Sequence, residues 1–212
     1  MLDYISINSH SSIRFEKDLV IYADPFHIAR ADHDADIIFL THDHYDHYSP
    51  EDVEKVKKDT TLFVAPQSTA ALLKKNGVDS GHIHVAAPGD TFDVAGVAVE
   101  AVKSYNPHKN FHPEREGWLG YIITLDGVRH YVAGDMDVTE EGKAVRCDVA
   151  LIPVGGKYTM DVDEGVELIS SIRPRYAIPT HYGDIVGKAT DGSAFAEKIK
   201  AKGLPTEVVL KI

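Results

Sequence analysis

The segment "DADIIFLTHDHYDHYS" (Asp34–Ser49) decides how this chain folds and what it can bind. It begins with an almost continuous apolar run of strand length, which is typical of a central strand covered on both faces. Three histidines and two aspartates follow within six positions, 42–47. A rigid strand end fixes where the loop begins, so we expect these side chains to be held close together.

The spacing His42-x-His44-x-Asp46-His47 predicts a metal site. Neutral imidazole is a good ligand for Zn, Fe, Ni or Mn, and a carboxylate adds an anionic oxygen, so the set can hold two adjacent divalent ions. The plain alternative is a solvated polar loop, because the chain contains 12 histidines. Four ligand side chains directly after a buried strand favour the metal site.

The flanking pattern predicts the architecture. Ser49 as N-cap and Pro50 in the first turn predict a helix over "SPEDVEKVKK", so the cluster lies in a strand-to-helix loop. Upstream, residues 4–26 contain three β-prone runs that predict an antiparallel meander. Downstream, strands and helices alternate, with a hairpin signal at Asp126-Gly127 and a last strand over "TEVVLKI". Together these predict an α/β fold, a four-layer αββα sandwich, with one domain over residues 1–212.

Composition excludes several classes of function. Cys147 is the only cysteine, so an internal disulfide and a Cys-rich zinc site are ruled out. A formal charge of −11 disfavours nucleic acid as a partner. Neither an apolar run of roughly 20 residues nor a signal-peptide pattern is present. We therefore expect a cytoplasmic protein with no membrane partner and a small-molecule substrate, and a homo-oligomer remains open.

Two later strand ends carry further ligand-type residues. "YVAGD" places Asp135 after a strand and a glycine, and "AIPTHYG" places His181 at another strand end. Each alone would more often be a turn aspartate or a core histidine. Together with the first cluster they favour a metal centre assembled from several strand ends.

This set resembles the metallo-β-lactamase superfamily. The likeness rests on the signature His42-x-His44-x-Asp46-His47, on "AGD" with Asp135 and on "THYG" with His181, and it runs from Tyr22 to Gly183. "PVGGKYTMD" and "IPTHYG" are similar to the branch of small standalone hydrolases that includes the ascorbate-6-phosphate lactonases. The resemblance implies the αββα fold with two metal ions, Zn being the expected metal and Mn or Fe the alternatives.

The resemblance also implies roles for individual residues. His42 and His44 would bind the first ion, and Asp135 would bridge both ions. The second ion would be bound by Asp46, His47 and His181. Asp46 would also orient the attacking hydroxide as a catalytic residue, and Asp24 would hold a ligating histidine through its free N–H.

The sequence departs from the family at one ligand. The third histidine of the first site is expected at the end of "VAVEAVKSY", where Asn106 stands instead. An amide oxygen is a weak ligand, so Asn106, His108 and His112 are all candidates. We favour His112, because Pro113 stiffens its loop and because Phe111 and Trp118 can anchor that loop against the core.

The sequence also offers side chains that could hold an anionic substrate. These candidates are Lys109, Lys157, Tyr158 and Tyr182.

Three classes of function follow from these observations. The first is hydrolysis of an ester, lactone or phosphoester bond of a small anionic substrate, by a hydroxide that bridges two ions. The second is redox chemistry at a single iron, which would suit a weak first site but has only Cys147 for thiol chemistry. The third, a binding module without turnover, would need a degraded ligand set. We favour hydrolysis.

Overall fold

A computed structural model describes residues 2–212 of the chain. Those residues divide into two compact units; the first ends at Ala87 and the second is Pro88–Ile212. Within the described part, no helix has both the length and the apolar character needed to cross a membrane.

The first unit is built on a six-stranded sheet with strand order β1-β2-β3-β4-β5-β6. The pairs β1–β2 and β2–β3 are antiparallel, which confirms the predicted meander, and the pairs from β3 to β6 are parallel. The elements are β1 (Ile5–Ser9), β2 (Ser12–Glu16), β3 (Val20–Ala23), β4 (Ala35–Phe39), α1 (Pro50–Val56), β5 (Lys57–Ala65), α2 (Gln67–Lys75), a 3-10 turn (Ser80–His82) and β6 (Ile83–Val85).

The second unit is built on a seven-stranded sheet with strand order β13-β12-β11-β10-β9-β8-β7. Strands β10 to β13 run parallel, and β7 to β10 are joined in antiparallel pairs. The elements are β7 (Thr91–Val94), β8 (Val97–Lys103), a 3-10 turn (Glu114–Glu116), β9 (Leu119–Leu125), β10 (Val128–Val132), α3 (Glu140–Ala144), β11 (Val149–Pro153), α4 (Val162–Ile172), β12 (Tyr176–Thr180), α5 (Asp191–Ala201) and β13 (Glu207–Val208).

Each unit has an apolar core between its sheet and its helices. In the first unit, Ile38 of β4 packs in one cluster with Leu73 of α2. In the second, Tyr131 of β10 packs in one cluster with Leu168 of α4 and Phe195 of α5. The predicted α/β class, with two sheets that carry their own helices, is confirmed.

Three local predictions need correction. The first helix ends at Val56, because Lys57 instead pairs with Ala35 as the start of β5, so sheet pairing outweighs local helix propensity. The last strand contains only Glu207–Val208, much less than "TEVVLKI". Helix α3 was not predicted, since its five residues include Gly142 and are too few to show a helical period.

Candidate functional site

Parallel pairing brings the first ligand residues of the first unit to one sheet edge. Strands β3 and β4 lie parallel with Ala23 opposite Phe39. The residues that follow the two strands, Asp24 and Thr41, therefore leave the sheet side by side. The Thr41 amide donates to Asp24 Oδ1 at 2.8 Å, and its hydroxyl donates to Asp24 Oδ2 at 2.6 Å.

The loop after β4 turns back on itself. The amides of His47 and Tyr48 both donate to the His44 carbonyl, at 3.0 and 2.8 Å. Ser49 then caps α1 by accepting from the Asp52 amide at 3.3 Å, as predicted. This turn returns His47 to the same side as the earlier histidines, and its ring centroid lies 4.0 Å from that of His42.

His42 and His44 present two ring nitrogens to one point. Because the Thr41 hydroxyl donates to Asp24, it can accept from His42 Nδ1–H at 3.0 Å, which makes His42 Nε2 the ring nitrogen without a proton. His42 Nε2 lies 3.1 Å from His44 Nδ1. Two nitrogens bound to one tetrahedral zinc ion are roughly 3.3 Å apart, so this spacing fits two ligands of one divalent ion.

Asp24 fixes the orientation of His47. Its carboxylate is 1% exposed and accepts from His47 Nδ1–H at 2.7 Å. A carboxylate can only accept here, so the proton is on Nδ1 and Nε2 is the nitrogen available to a metal. The buried charge of Asp24 is compensated by this bond and by the two bonds from Thr41.

A further histidine, which the sequence did not single out, lies beside Asp46. His10 is 1% exposed, and its Nε2 lies 3.4 Å from Asp46 Oδ2. His47 Nε2 lies 3.9 Å from the same oxygen. The sequence "NSHSS" has the composition of an ordinary polar turn, and the spacing of residues carries no signal that links His10 to the later cluster.

Parallel strands also set the ligand edge of the second unit. Strands β10, β11 and β12 run parallel, so Asp135 and His181 follow strands that end at the same edge. His181 Nε2 lies 3.1 Å from Asp135 Oδ2. Gly155, after β11, is required here, because a Cβ at this position would lie 2.0 Å from the His181 carbonyl oxygen.

His112 reaches the same carboxylate from the loop after β8. Its Nε2 lies 3.3 Å from Asp135 Oδ2 and its Nδ1 lies 2.7 Å from Asn106 Oδ1. Since the amide oxygen accepts, the Nδ1 proton points at Asn106 and Nε2 is left available. The backbone N–H of Asn106 donates to the backbone carbonyl of His112 at 2.7 Å, so a backbone bond and a side-chain bond together close this loop.

The surroundings of His112 agree only in part with the sequence-based argument for it. Trp118 is buried and meets the His112 ring edge-on at 5.6 Å, as expected of an anchor. Phe111 is 46% exposed and packs edge-on against the Tyr158 ring, so it does not anchor the loop to the core. His108 is exposed.

Lys109 ties the same loop down. Its Nζ donates to the buried Asp137 carboxylate and, at 2.7 Å, to the Thr159 carbonyl. Burial raises the pKa of the Asp137 carboxyl, and the nearby Lys109 ammonium opposes that rise. The Lys109 ammonium is therefore bound to groups of the protein itself, and the suggestion that it holds a substrate stays a prediction.

The remaining substrate candidates have different surroundings. Tyr182 is 2% exposed and packs in the core of the second unit, so its role is packing rather than the predicted substrate contact. Burial raises the pKa of its hydroxyl. Lys157 is exposed and lies over the Tyr158 ring at 4.6 Å, while the Tyr158 carbonyl lies 3.2 Å from His112 Nδ1.

Comparison with known proteins places these features in context. A family model described as a beta-lactamase superfamily domain matches residues 4–181. A relative from Archaeoglobus fulgidus, named as a metal-dependent hydrolase, is 29% identical over 219 residues, which cover 95% of this chain and 92% of the relative.

Solved structures of similar proteins were also found. A protein from Parabacteroides distasonis, named as a metal-dependent hydrolase, matches with a TM-score of 0.80 and 30% identity over 96% of this chain and 91% of that one. A metallo hydrolase from Ignicoccus hospitalis matches with a TM-score of 0.78 and 23% identity over 98% and 94% of the two chains, which shows a shared fold.

Proposed function

The chain belongs to the metallo-β-lactamase superfamily as a metal-dependent hydrolase, and we propose that it cleaves an ester, lactone or phosphoester bond of a small anionic substrate with the help of two divalent ions. The narrower likeness to ascorbate-6-phosphate lactonases is not tested by these relatives and stays a prediction.

The observation that carries this proposal is the convergence of ligand atoms within each unit. In the first unit, two imidazole nitrogens lie 3.1 Å apart. In the second, Asp135 Oδ2 lies 3.1 Å from His181 Nε2 and 3.3 Å from His112 Nε2, as suits a carboxylate shared between two ions. All of these side chains are among the His and Asp groups able to hold a metal.

We assign the ligands as follows. His42, His44 and His112 would hold the first ion, and Asp135 would be shared by both ions. The second ion would be held by Asp46, His47 and His181. Asn106 would act through the His112 ring, and Asp24 through the His47 ring. One family model spans residues 4–181, so we also propose that residues 1–212 work as one domain.

Divalent ions bound by these residues would lower the pKa of a water molecule toward neutrality and polarise the bond to be cleaved. The chain's own part is to hold the ligands in place and to orient the nucleophile. Asp46 would accept a hydrogen bond from the attacking water and fix its direction. No serine or cysteine nucleophile is needed.

For substrate binding, we propose a role for Lys157. Lys157 is exposed and lies next to Tyr158, whose backbone contacts His112, so its ammonium is the charge we propose for an anionic substrate. Zinc is the proposed metal, because imidazole nitrogens and carboxylate oxygens are among its ordinary ligands. A cytoplasmic location is proposed from Cys147, a single free thiol.

The test combines metal analysis with turnover. We expect purified protein to carry two divalent ions per chain and to hydrolyse at least one of a panel of aryl esters, lactones and phosphodiesters. Chelation should abolish turnover, and adding Zn or Mn back should restore it. A matched control is His108→Ala, an exposed histidine in the ligand loop, which should keep both ions. Full hydrolysis by metal-free protein would overturn the proposal, and one iron per chain with oxygen uptake would replace it.

A further inference from the structure

The turn that carries His10 has an unusual conformation. His10 and Ser11 form the two-residue connection between β1 and β2, and His10 has a φ of 53°. Ser11 is not among the residues with positive φ, so only the first of the two turn residues has a φ in the region that favours glycine. A histidine here accepts backbone strain that a glycine would avoid.

The turn is also buried, although hairpin turns usually lie at the surface. The exposed fractions of His10, Ser11 and Ser12 are 1%, 7% and 0%. Ser12 Oγ accepts from the Phe26 amide at 3.1 Å. Asn8 Nδ2 donates to the Phe26 carbonyl at 2.6 Å. The hairpin end is therefore fixed to the segment just after Asp24, the residue that orients His47.

The strained and buried side chain faces a carboxylate. His10 Nε2 lies 3.4 Å from Asp46 Oδ2, and Asp46 is itself 8% exposed. A buried carboxylate needs donors to offset its lost hydration. A histidine held rigidly beside one of its oxygens fixes the orientation of the whole carboxylate.

We propose that His10 is a positioning residue for Asp46: its Nε2–H engages Asp46 Oδ2 and fixes the orientation in which the carboxylate would bind the second ion. This rests on the proposed function, in which Asp46 binds that ion. The strain at position 10 is then explained, because glycine would relieve it but would leave the carboxylate without this neighbour.

Two variants separate this role from a structural one. His10→Asn suits a positive φ, but its amide ends about where Nδ1 was and falls short of Asp46. His10→Gln fits the backbone less well, but its amide nitrogen reaches about as far as Nε2. If His10 has a purely structural role, the Asn variant should therefore bind zinc better than the Gln variant. If His10 positions Asp46, the Gln variant should bind zinc better than the Asn variant.

The measurement is metal binding, independent of turnover. Zinc would be titrated against a competing chelator, and the affinities of the two ions would be resolved for each variant, with thermal unfolding of the metal-free proteins as a check on folding. We expect His10→Asn to weaken one ion by about 10- to 100-fold and to leave the other unchanged. His10→Gln should stay within a few-fold of the wild type for both.

A coupling test uses Asp46→Asn as the background. There, His10→Asn should cause no further loss of zinc affinity, because the carboxylate it acts through is gone. Full additivity would overturn the proposal, as would wild-type affinity in His10→Asn or an equal loss in His10→Gln. A wild-type protein that binds no second ion would instead overturn the proposed function, and this inference with it.

Discussion

The ligand residues of the first unit lie in one short loop, whereas those of the second come from three separate strand ends. Residues 42–47 follow a single strand, β4, and a turn at His44 folds them together. Asp135, His181 and His112 follow β10, β12 and β8 and meet only because those strands end at one edge of the sheet. A contiguous set can be recognised from spacing alone; a dispersed set requires the topology.

The two units also orient their histidines differently. His47 donates to a carboxylate, Asp24, which has two further donors in Thr41. His112 donates to a neutral amide, Asn106. A carboxylate raises the basicity of the ring it accepts from more than an amide does. The first unit thus gives its oriented histidine a charged partner, and the second unit gives its histidine a neutral one.

The largest expected effect tests whether the contiguous loop can work alone. Asp135→Ala removes the carboxylate that lies within 3.3 Å of two histidine nitrogens. We expect loss of metal and a fall in hydrolysis on the order of 10³-fold or more, because metal stabilisation of the transition state is worth several kcal/mol. Metal content and kcat/KM measure it. Asp43→Ala, inside the motif but not assigned as a ligand, is the control; if Asp135→Ala behaved like it, the dispersed set would be dispensable.

The next largest effect is expected at His112, and it tests whether His112 or Asn106 is the metal ligand of the dispersed set. His112→Ala should lower metal content as much as His44→Ala, because each removes one imidazole ligand. Asn106→Ala should cost less, about 10- to 100-fold in metal affinity, because Asn106 acts through the ring. Counting metals per chain under a chelator titration gives the order. A greater loss in Asn106→Ala than in His112→Ala would make Asn106 the ligand.

The contrast between a contiguous and a dispersed ligand set also explains which parts of the fold and the site could be predicted from the sequence. Strand β4 and the loop after it could be predicted, since a buried apolar run and a fixed ligand spacing are both local patterns. The hairpin at Asp126-Gly127 was equally local, and both residues have the positive φ its turn requires. The link from Asn106 to His112 could not be predicted, because it depends on a loop that closes through two hydrogen bonds. His10 could not either, since only the folded hairpin brings it to Asp46.

A smaller effect tests the charged partner of the first unit. Asp24→Asn should reduce metal affinity by about 10- to 100-fold, because the neutral amide no longer supports His47 as a carboxylate does. Isothermal titration with zinc would measure this. Asp52→Asn is the matched control: Asp52 is a buried carboxylate of the same unit that accepts from the amides of His27 and Ile28. It should lower the melting temperature and leave zinc affinity unchanged; equal losses of affinity would reduce Asp24 to a general structural role.

The smallest expected effect is that of Asn106→Asp, which gives His112 a charged partner like the one that His47 has. In Asn106→Asp the new carboxylate keeps the bond to His112 Nδ1–H, and the Asn106 Nδ2 atom that it replaces has no hydrogen-bond partner in the described residues. The ring should become a better ligand, so we expect zinc affinity to rise by a few-fold. The metal-free protein should melt at a lower temperature than the wild type, because Asn106 is 4% exposed and a buried charge without further donors is costly. Zinc should therefore raise the melting temperature of the variant by more than it raises that of the wild type, as binding to the folded state alone requires. Thermal unfolding with and without zinc gives both quantities, and a smaller zinc-induced rise in Asn106→Asp would show that the neutral partner is the better one at this position.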